Sequence, residues 1–315
     1  MKWVALRKKD ESIHVNSQNA TGVVTEAKDL THLENGNLFI GSLPLLETTE
    51  IKFVGQNNIL FCEEGVNIQN SKITFKGDNA LVYLGRNKHK YLLSLSINHN
   101  SVFHMGRNNY INGRLNIILS ERKHFFVGND GLFSFGIWVR NADPHLIYSC
   151  DSFRRINPTK SIFIGDHVWV GQSVFLLKGT QIDSGSIIGA MSVCSGKRIN
   201  HNSSWAGNPI RRIGDSIFWD RACVHRWRET ETDLSQCYYD FVKGNNNLSI
   251  DSWMFQYDPT QVISFDEMDV ILDGDNPKEK ADYLSSLAAK AEKNRFVHLI
   301  EPQEEKKALQ TDKEA

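Results

Sequence analysis

From Ile164 to Ile199 an aliphatic residue, or a small apolar substitute for one, returns at every sixth position, through Ile164, Val170, Leu176, Ile182, Ile188 and Cys194. The sextets read IGDHVW, VGQSVF, LLKGTQ, IDSGSI, IGAMSV and CSGKRI, with glycine directly after the aliphatic position at Gly165, Gly171 and Gly189. Strands repeat every two residues and helices every 3.6, so neither produces a strict six. A flat-sided solenoid does. Each sextet supplies one short strand and a corner, three of them close a coil of about eighteen residues, and the aliphatic side chains stack inside. The second position of a sextet must be small because the backbone turns there beside the neighbouring coil.

The same signature recurs upstream in looser form, as Leu84-Gly85-Arg86-Asn87, Met105-Gly106-Arg107-Asn108 and Val127-Gly128-Asn129-Asp130. These units lie 21 and 22 residues apart, so the earlier coils carry corner insertions. Alternating stretches between them, Lys72–Phe75 and Leu115–Leu119, suit half-buried strands. The pattern predicts a mainly β chain divided into an N-terminal cap or hairpin (1–48), a β-helix domain (49–214), a partly helical, aromatic-rich extension (215–300) and a disordered tail (301–315). The extension is expected to cover the open end of the solenoid, since an uncovered last coil invites end-to-end pairing. Asn276-Pro277 ahead of Tyr283, Leu284, Leu287, Ala288 and Ala291 marks a helix start.

Net charge is −1 over 315 residues, which gives no general attraction to nucleic acid or an anionic membrane. The five cysteines are odd in number and lack paired metal spacing, as expected of a reducing compartment. No window has the length of a signal core or a membrane span, so the expected location is the cytoplasm, or at most the inner face of a membrane, without a membrane span.

Chemistry is signalled just before the regular coils. Asn141-Ala142-Asp143-Pro144-His145 leads through Arg154-Arg155-Ile156-Asn157-Pro158 into IGDHVWVG, IGAMSV and finally AGNPIRRI. This succession resembles the hexapeptide-repeat acyltransferases, and among them the O-acetyltransferases of bacterial capsule and other polysaccharides. The resemblance covers roughly residues 80 to 214. It implies a left-handed parallel β-helix, a homotrimer with sites between subunits, acetyl-CoA as acyl donor and a glycan or polysaccharide acceptor. It also implies a histidine general base, because a sugar hydroxyl must lose its proton as it attacks the thioester. His145 is the candidate, against the plainer alternative of a surface-loop histidine. Asp143 either orients its imidazole or forms a local turn before Pro144.

The resemblance places the donor along Trp169, Gly171, Gly189 and Ala190, with its phosphates near Lys197, Arg211 and Arg212; a solvated basic face is the competing reading. Trp138, Arg140, Asn141, Tyr148 and Arg154 are acceptor candidates by position alone. Direct attack is expected, since no serine or cysteine sits in an activated setting beside His145. Gln172 and Met191 depart from the usual small residues, which puts a side-chain oxyanion donor at 172 in doubt and leaves a backbone N–H able to serve. His99 and His104 have the spacing of a zinc pair, but His14, His32 and His89 offer no well-placed third ligand, so no metal is assigned. His167, at a sextet corner, is expected to face solvent or a neighbouring subunit. N-acetylation of an amino-sugar nucleotide and an inactive β-helical scaffold are the alternative functions.

Overall fold

The interior of the regular region is built from the sextet residues: Ile164, Val170, Leu176, Ile182, Ile188 and Cys194 are each 0% exposed. In the computed structural model, which describes residues 22–245, 249–288 and 293–298, they fill a three-sided parallel β-solenoid of about seven turns. Parts of the expected cap (1–21) and the whole tail (301–315) lie outside the described residues.

The first side runs from Leu38–Gly41 through Ile59–Cys62, Leu81–Leu84, Val102–Met105, Phe125–Val127, Ile162–Ile164 and Gln181–Ile182 to Arg198–Ile199. The second holds Tyr110–Ile111, Leu132–Phe133, Trp169–Val170, Ile187–Ile188 and Ser204–Ala206. The third runs from Glu50–Phe53 through Lys72–Phe75, Leu93–Ile97, Leu115–Leu119, Trp138–Arg140 and Phe175–Leu177 to Val193–Cys194. On this third side Ile51, Ile73, Leu95, Ile117 and Val139 are register partners at steps of 22 residues, and Leu176 and Cys194 at a step of 18. The change from loose to tight coils occurs where a loop of residues 141–161 leaves the third side and returns on the first.

The small residues follow from the closeness of the coils. A Cβ on Gly171 would lie 2.6 Å from the Ala190 nitrogen, and one on Gly165 2.7 Å from that of Ser184. Backbone cannot yield there. The corner between first and second sides is left-handed, at Asn108, Asp130, His167 and Asn202 with φ of 55°, 63°, 52° and 48°. Asn and Asp enter that region most readily among side chains with a Cβ, which accounts for the Gly-polar-polar units.

The solenoid begins earlier than the expected residue 49. Leu38–Gly41 already pairs in parallel with Ile59–Cys62, and Gly22–Val24 caps the first coil antiparallel to Glu50–Phe53. One aliphatic-Gly step, Ile40-Gly41, is too little to display a period.

The extension also differs from expectation. It lies along the first side, while the open end of the second is covered by Arg211–Gly214, antiparallel to Ser204–Ala206. Helices α1 (Glu229–Leu234) and α2 (Tyr238–Gly244) precede α3 (Phe265–Leu272) and α4 (Pro277–Ala288). From α3, α4 and residues 293–298, Phe265, Met268, Leu272, Leu284, Leu287 and Phe296 form a second core with Leu81, Tyr83, Val102, Phe126 and Phe163. The α4 start is as read: the Asn276 side chain accepts from Lys278 N at 3.0 Å, with Pro277 the first helical residue. Among the described residues no helix is long and apolar enough to cross a membrane.

Two adjacent polar residues of the sextet motif bind this extension. Asp166, 0% exposed, receives Arg295 Nη2 at 2.7 Å on Oδ1 and Arg295 Nε at 2.9 Å on Oδ2. His167 is buried, contrary to the expected exposure. Its ring stacks on Trp219 at 3.9 Å between centroids, and Trp219 Nε1 donates to the His167 carbonyl at 2.9 Å. Its nitrogens face Asp130 Oδ2 and the Trp219 carbonyl.

Candidate active site

The loop that carries His145 is a small hairpin with a braced base. Ile156 N donates to the Ile147 carbonyl at 2.9 Å and Ser149 N to that of Arg154 at 3.0 Å, so its two arms run antiparallel. At the base, Arg155 makes a fork on Glu121, with Nη1 and Nη2 each 2.8 Å from a carboxylate oxygen, and Thr159 donates to the same group. Arg155 and then Thr159 hold the Glu121 carboxyl down at about 2. The Asp143 carboxylate accepts from Lys178 Nζ and, at 3.1 Å, from Asn157 Nδ2. These two donors, Lys178 foremost, keep its carboxyl below the usual carboxylate range.

His145 is exposed on this loop, and among the described residues no hydrogen bond engages its ring. Asp143 therefore does not hold the imidazole. Its oxygen Oδ2 belongs to the brace, and the link to His145 passes through Asn157, whose Nδ2 also donates to the His145 carbonyl at 2.8 Å. Sequence reasoning noticed the Arg-Ile-Asn element without assigning Asn157 a role, and missed Lys178 altogether. The signal for Lys178 was the repeat itself, which puts residue 178 at the corner where the loop attaches.

The expected donor residues occupy a different corner. Trp169 points outward from the second side and is 40% exposed, while Gly171, Gly189 and Ala190 form the turn from second to third side. Gly171 N and Gly189 N are spent on the Ile188 and Trp205 carbonyls, both at 2.8 Å. Among the described residues the amides of Gln172 and Ala190 have no such partner, which leaves two N–H groups for an oxyanion or an amide-bearing arm. Arg211 is exposed and Arg212 pairs with Asp215 at 3.4 Å, both just past this corner. Lys197 is elsewhere, exposed at the third-to-first corner near Lys178.

Asn141 is excluded from sugar contact: it is 0% exposed and its amide is consumed by Ser120 N, Ser120 O and Lys123 O of the preceding coil. Arg140 lies over the Trp138 ring at 5.2 Å, so one indole face is already taken. Tyr148 and Arg154 are exposed on the hairpin. His99 and His104 do not form a metal pair. His99 is exposed and its Nδ1 accepts from Asp78 N at 3.0 Å. His104 is sandwiched between Tyr83 and Phe126, and burial pushes its pKa down to about 3. His124, Asp269 and Asp273 approach within 4.8 Å of one another, but Lys123 Nζ bridges both carboxylates, so the cluster serves to dock α3.

No protein-family model matches the chain. A polysialic acid O-acetyltransferase of Neisseria meningitidis is 28% identical over 204 residues, which make up 65% of this chain and 94% of that one. Among solved structures, the polySia-specific acetyltransferase NeuO superposes with a TM-score of 0.53 at 26% identity, covering 65% of this chain and 91% of its own. The polysialic acid O-acetyltransferase OatWY gives a TM-score of 0.54 at 26% identity, with 64% and 96% covered.

Proposed function

We propose that this chain, a hexapeptide-repeat β-helix acyltransferase whose homologues are polysialic acid O-acetyltransferases, moves an acetyl group from acetyl-CoA to a hydroxyl of a bacterial surface polysaccharide. His145 takes the hydroxyl proton as the oxygen attacks the thioester carbonyl. The tetrahedral oxyanion is met by a backbone N–H at the Gln172 or Ala190 turn. Its collapse expels the thiolate of CoA, which takes up the proton from the imidazolium. No acyl-enzyme is needed. Trp169 walls the thioester, and Arg211 and Arg212 lie where the donor phosphates would pass.

The observation that carries this reading, and extends it to a trimer, is that the two halves of the site occupy different corners of one prism. One side of the prism, with the strand Phe175–Leu177 at its centre, separates Gln172 from Lys178, six residue steps that span at most about 20 Å. In this reading the two halves are completed between chains. They meet when the third-to-first corner of one copy abuts the second-to-third corner of the next, which turns the third side of each copy toward a threefold axis. That side presents Trp138 and Phe175 in register, with Ile118 exposed in the column of Arg140 beside them, and the His145 hairpin exposes Leu146, Ile147, Phe153 and Ile156, as surfaces awaiting another copy would. Trp138 is accordingly read as an association residue. Acetyl-CoA supply places the reaction in the cytoplasm.

Thiol release from acetyl-CoA on a panel of polysaccharides and amino-sugar nucleotides tests the proposal. Wild type is expected to acetylate a polysaccharide hydroxyl, with His145→Ala reduced by about 10²- to 10⁴-fold. Mixing unfolded and refolded His145→Ala with Trp169→Ala is expected to restore activity, because some interfaces then carry both intact halves. An active His145→Ala, or transfer only to amines, counts against it.

A further inference from the structure

Asn157 is a buried amide on an otherwise exposed hairpin, 5% exposed, and all of its hydrogen-bonding capacity is used. Nδ2 donates to Asp143 Oδ2 at 3.1 Å and to the His145 carbonyl at 2.8 Å; Oδ1 accepts from Ile147 N at 2.9 Å and from Arg155 Nε at 3.3 Å. One side chain therefore grips residues 143, 145 and 147, the alternate positions of the arm that bears the histidine. The grip is itself anchored twice to the solenoid. Asp143 is tied to Lys178 on the following coil, and Arg155 to Glu121 on the preceding one.

We infer that Asn157 is the positioning residue for the His145 base, in the place that a carboxylate on the ring would otherwise fill. The inference rests on the reading of His145 as the base. The imidazole is exposed and, among the described residues, unpartnered, so its placement rests on its backbone, which Asn157 holds at the His145 carbonyl and Ile147 N and, through the Asp143 carboxylate, on the preceding side. An error of about 1 Å in a reacting group costs on the order of 10²-fold in rate, so a brace that fixes the Cα acts on turnover directly. Lys178 contributes by holding Asp143 against the amide. The hairpin is outside the solenoid core, and loosening it leaves the prism and its stacked coils intact.

Acetyl transfer by purified Asn157→Ala, His145→Ala and the double variant tests this, together with hydrogen exchange of the hairpin amides. The expected result is a kcat reduced about 10- to 100-fold with both KM values little changed, an unaltered melting temperature, and faster exchange at Ile147 N. In the His145→Ala background the second substitution is expected to add nothing, because it acts through the group already removed. Lys178→Arg is expected to retain more activity than Lys178→Met. Wild-type kcat in Asn157→Ala overturns the inference, as does a full additional loss in the double variant, which would place the effect elsewhere. A wild type that transfers acetyl to no hydroxyl overturns the functional reading and this inference with it; a wild type that is active beside an unaffected Asn157→Ala overturns this inference alone.

Discussion

Replacing Arg295 by Ala should unfasten the C-terminal extension while leaving the solenoid coiled. In the native protein Asp166 is fully buried and its carboxylate collects four donors: Asn129 N at 2.8 Å, Arg295 N at 2.9 Å, and the Arg295 side chain through Nε at 2.9 Å and Nη2 at 2.7 Å. The substitution removes the two side-chain bonds and leaves a buried anion with backbone donors only. It also takes from the Leu287 carbonyl the bond that Arg295 Nη1 gives it at 3.1 Å. Two charge-assisted bonds at about 1.5–3 kcal/mol each give roughly 3–6 kcal/mol. Cutting one partner from a buried ion pair gives about 3–5 kcal/mol by an independent route. Taking about 4 kcal/mol, the opening equilibrium of the segment rises by nearly a thousandfold, since each 1.36 kcal/mol is a factor of ten. Hydrogen exchange resolved by peptide is the assay. Peptides within 263–288 and 293–298 should lose protection, whereas those of the tight coils, such as 181–194, should keep it. Asp166→Asn with Arg295→Met leaves no unpaired charge and should be far milder than Arg295→Ala. Unchanged protection in Arg295→Ala, or a double variant worse than the single, would refute the reasoning.

Two buried groups should imprint opposite pH dependences on stability. Burial lifts the Asp183 carboxyl to about 7 from 3.8, so the folded state holds a proton that the unfolded state releases. Its stabilising contribution is complete below about pH 4 and is lost as pH rises through about 7; Asp183→Asn should flatten urea-unfolding stability across that window and stabilise the protein above it. Burial lowers Lys280 to about 8 from 10.5, with Nζ donating to the Asn100 carbonyl at 2.8 Å. Here the unfolded state binds the extra proton, so stability should climb between about pH 8 and 10.5; Lys280→Met should abolish the climb.

The sequence showed most where one coil repeats the next. The six aliphatic positions from Ile164 to Cys194 are all in the core, and the 21- and 22-residue spacing of the Gly-polar-polar units is the coil length of the first half. A period reports what every coil must do alike. It is silent about partners supplied by a different segment. Asp166 and His167 looked like corner residues because their partners, Arg295 and Trp219, lie 129 and 52 positions away. Asn157 was likewise visible as a motif member, and its function appears only when the hairpin closes and brings residues 143, 145 and 147 against it.

One signal for the extension was nevertheless present and points to more than an end cap. Strands of the third side alternate, as in KITF, LSLSI and LNIIL, with polar residues outward except Ile118. Those of the first side do not: LVYL, VFHM, FFV and IFI are apolar or aromatic on both faces, and every one of these residues is buried. A strand without alternation needs cover on both faces, so four successive coils called for a layer along the prism rather than a lid on its end. The signal stops where the layer does. At the last two coils the outward positions become Gln181 and Arg198, and these meet the layer's edge through Asp266, at 2.9 Å each. The length of the covered face is thus written in the outward positions of the first side, while the third side, alternating but carrying Ile118, Trp138 and Phe175 outward near the His145 hairpin, leaves these side chains exposed.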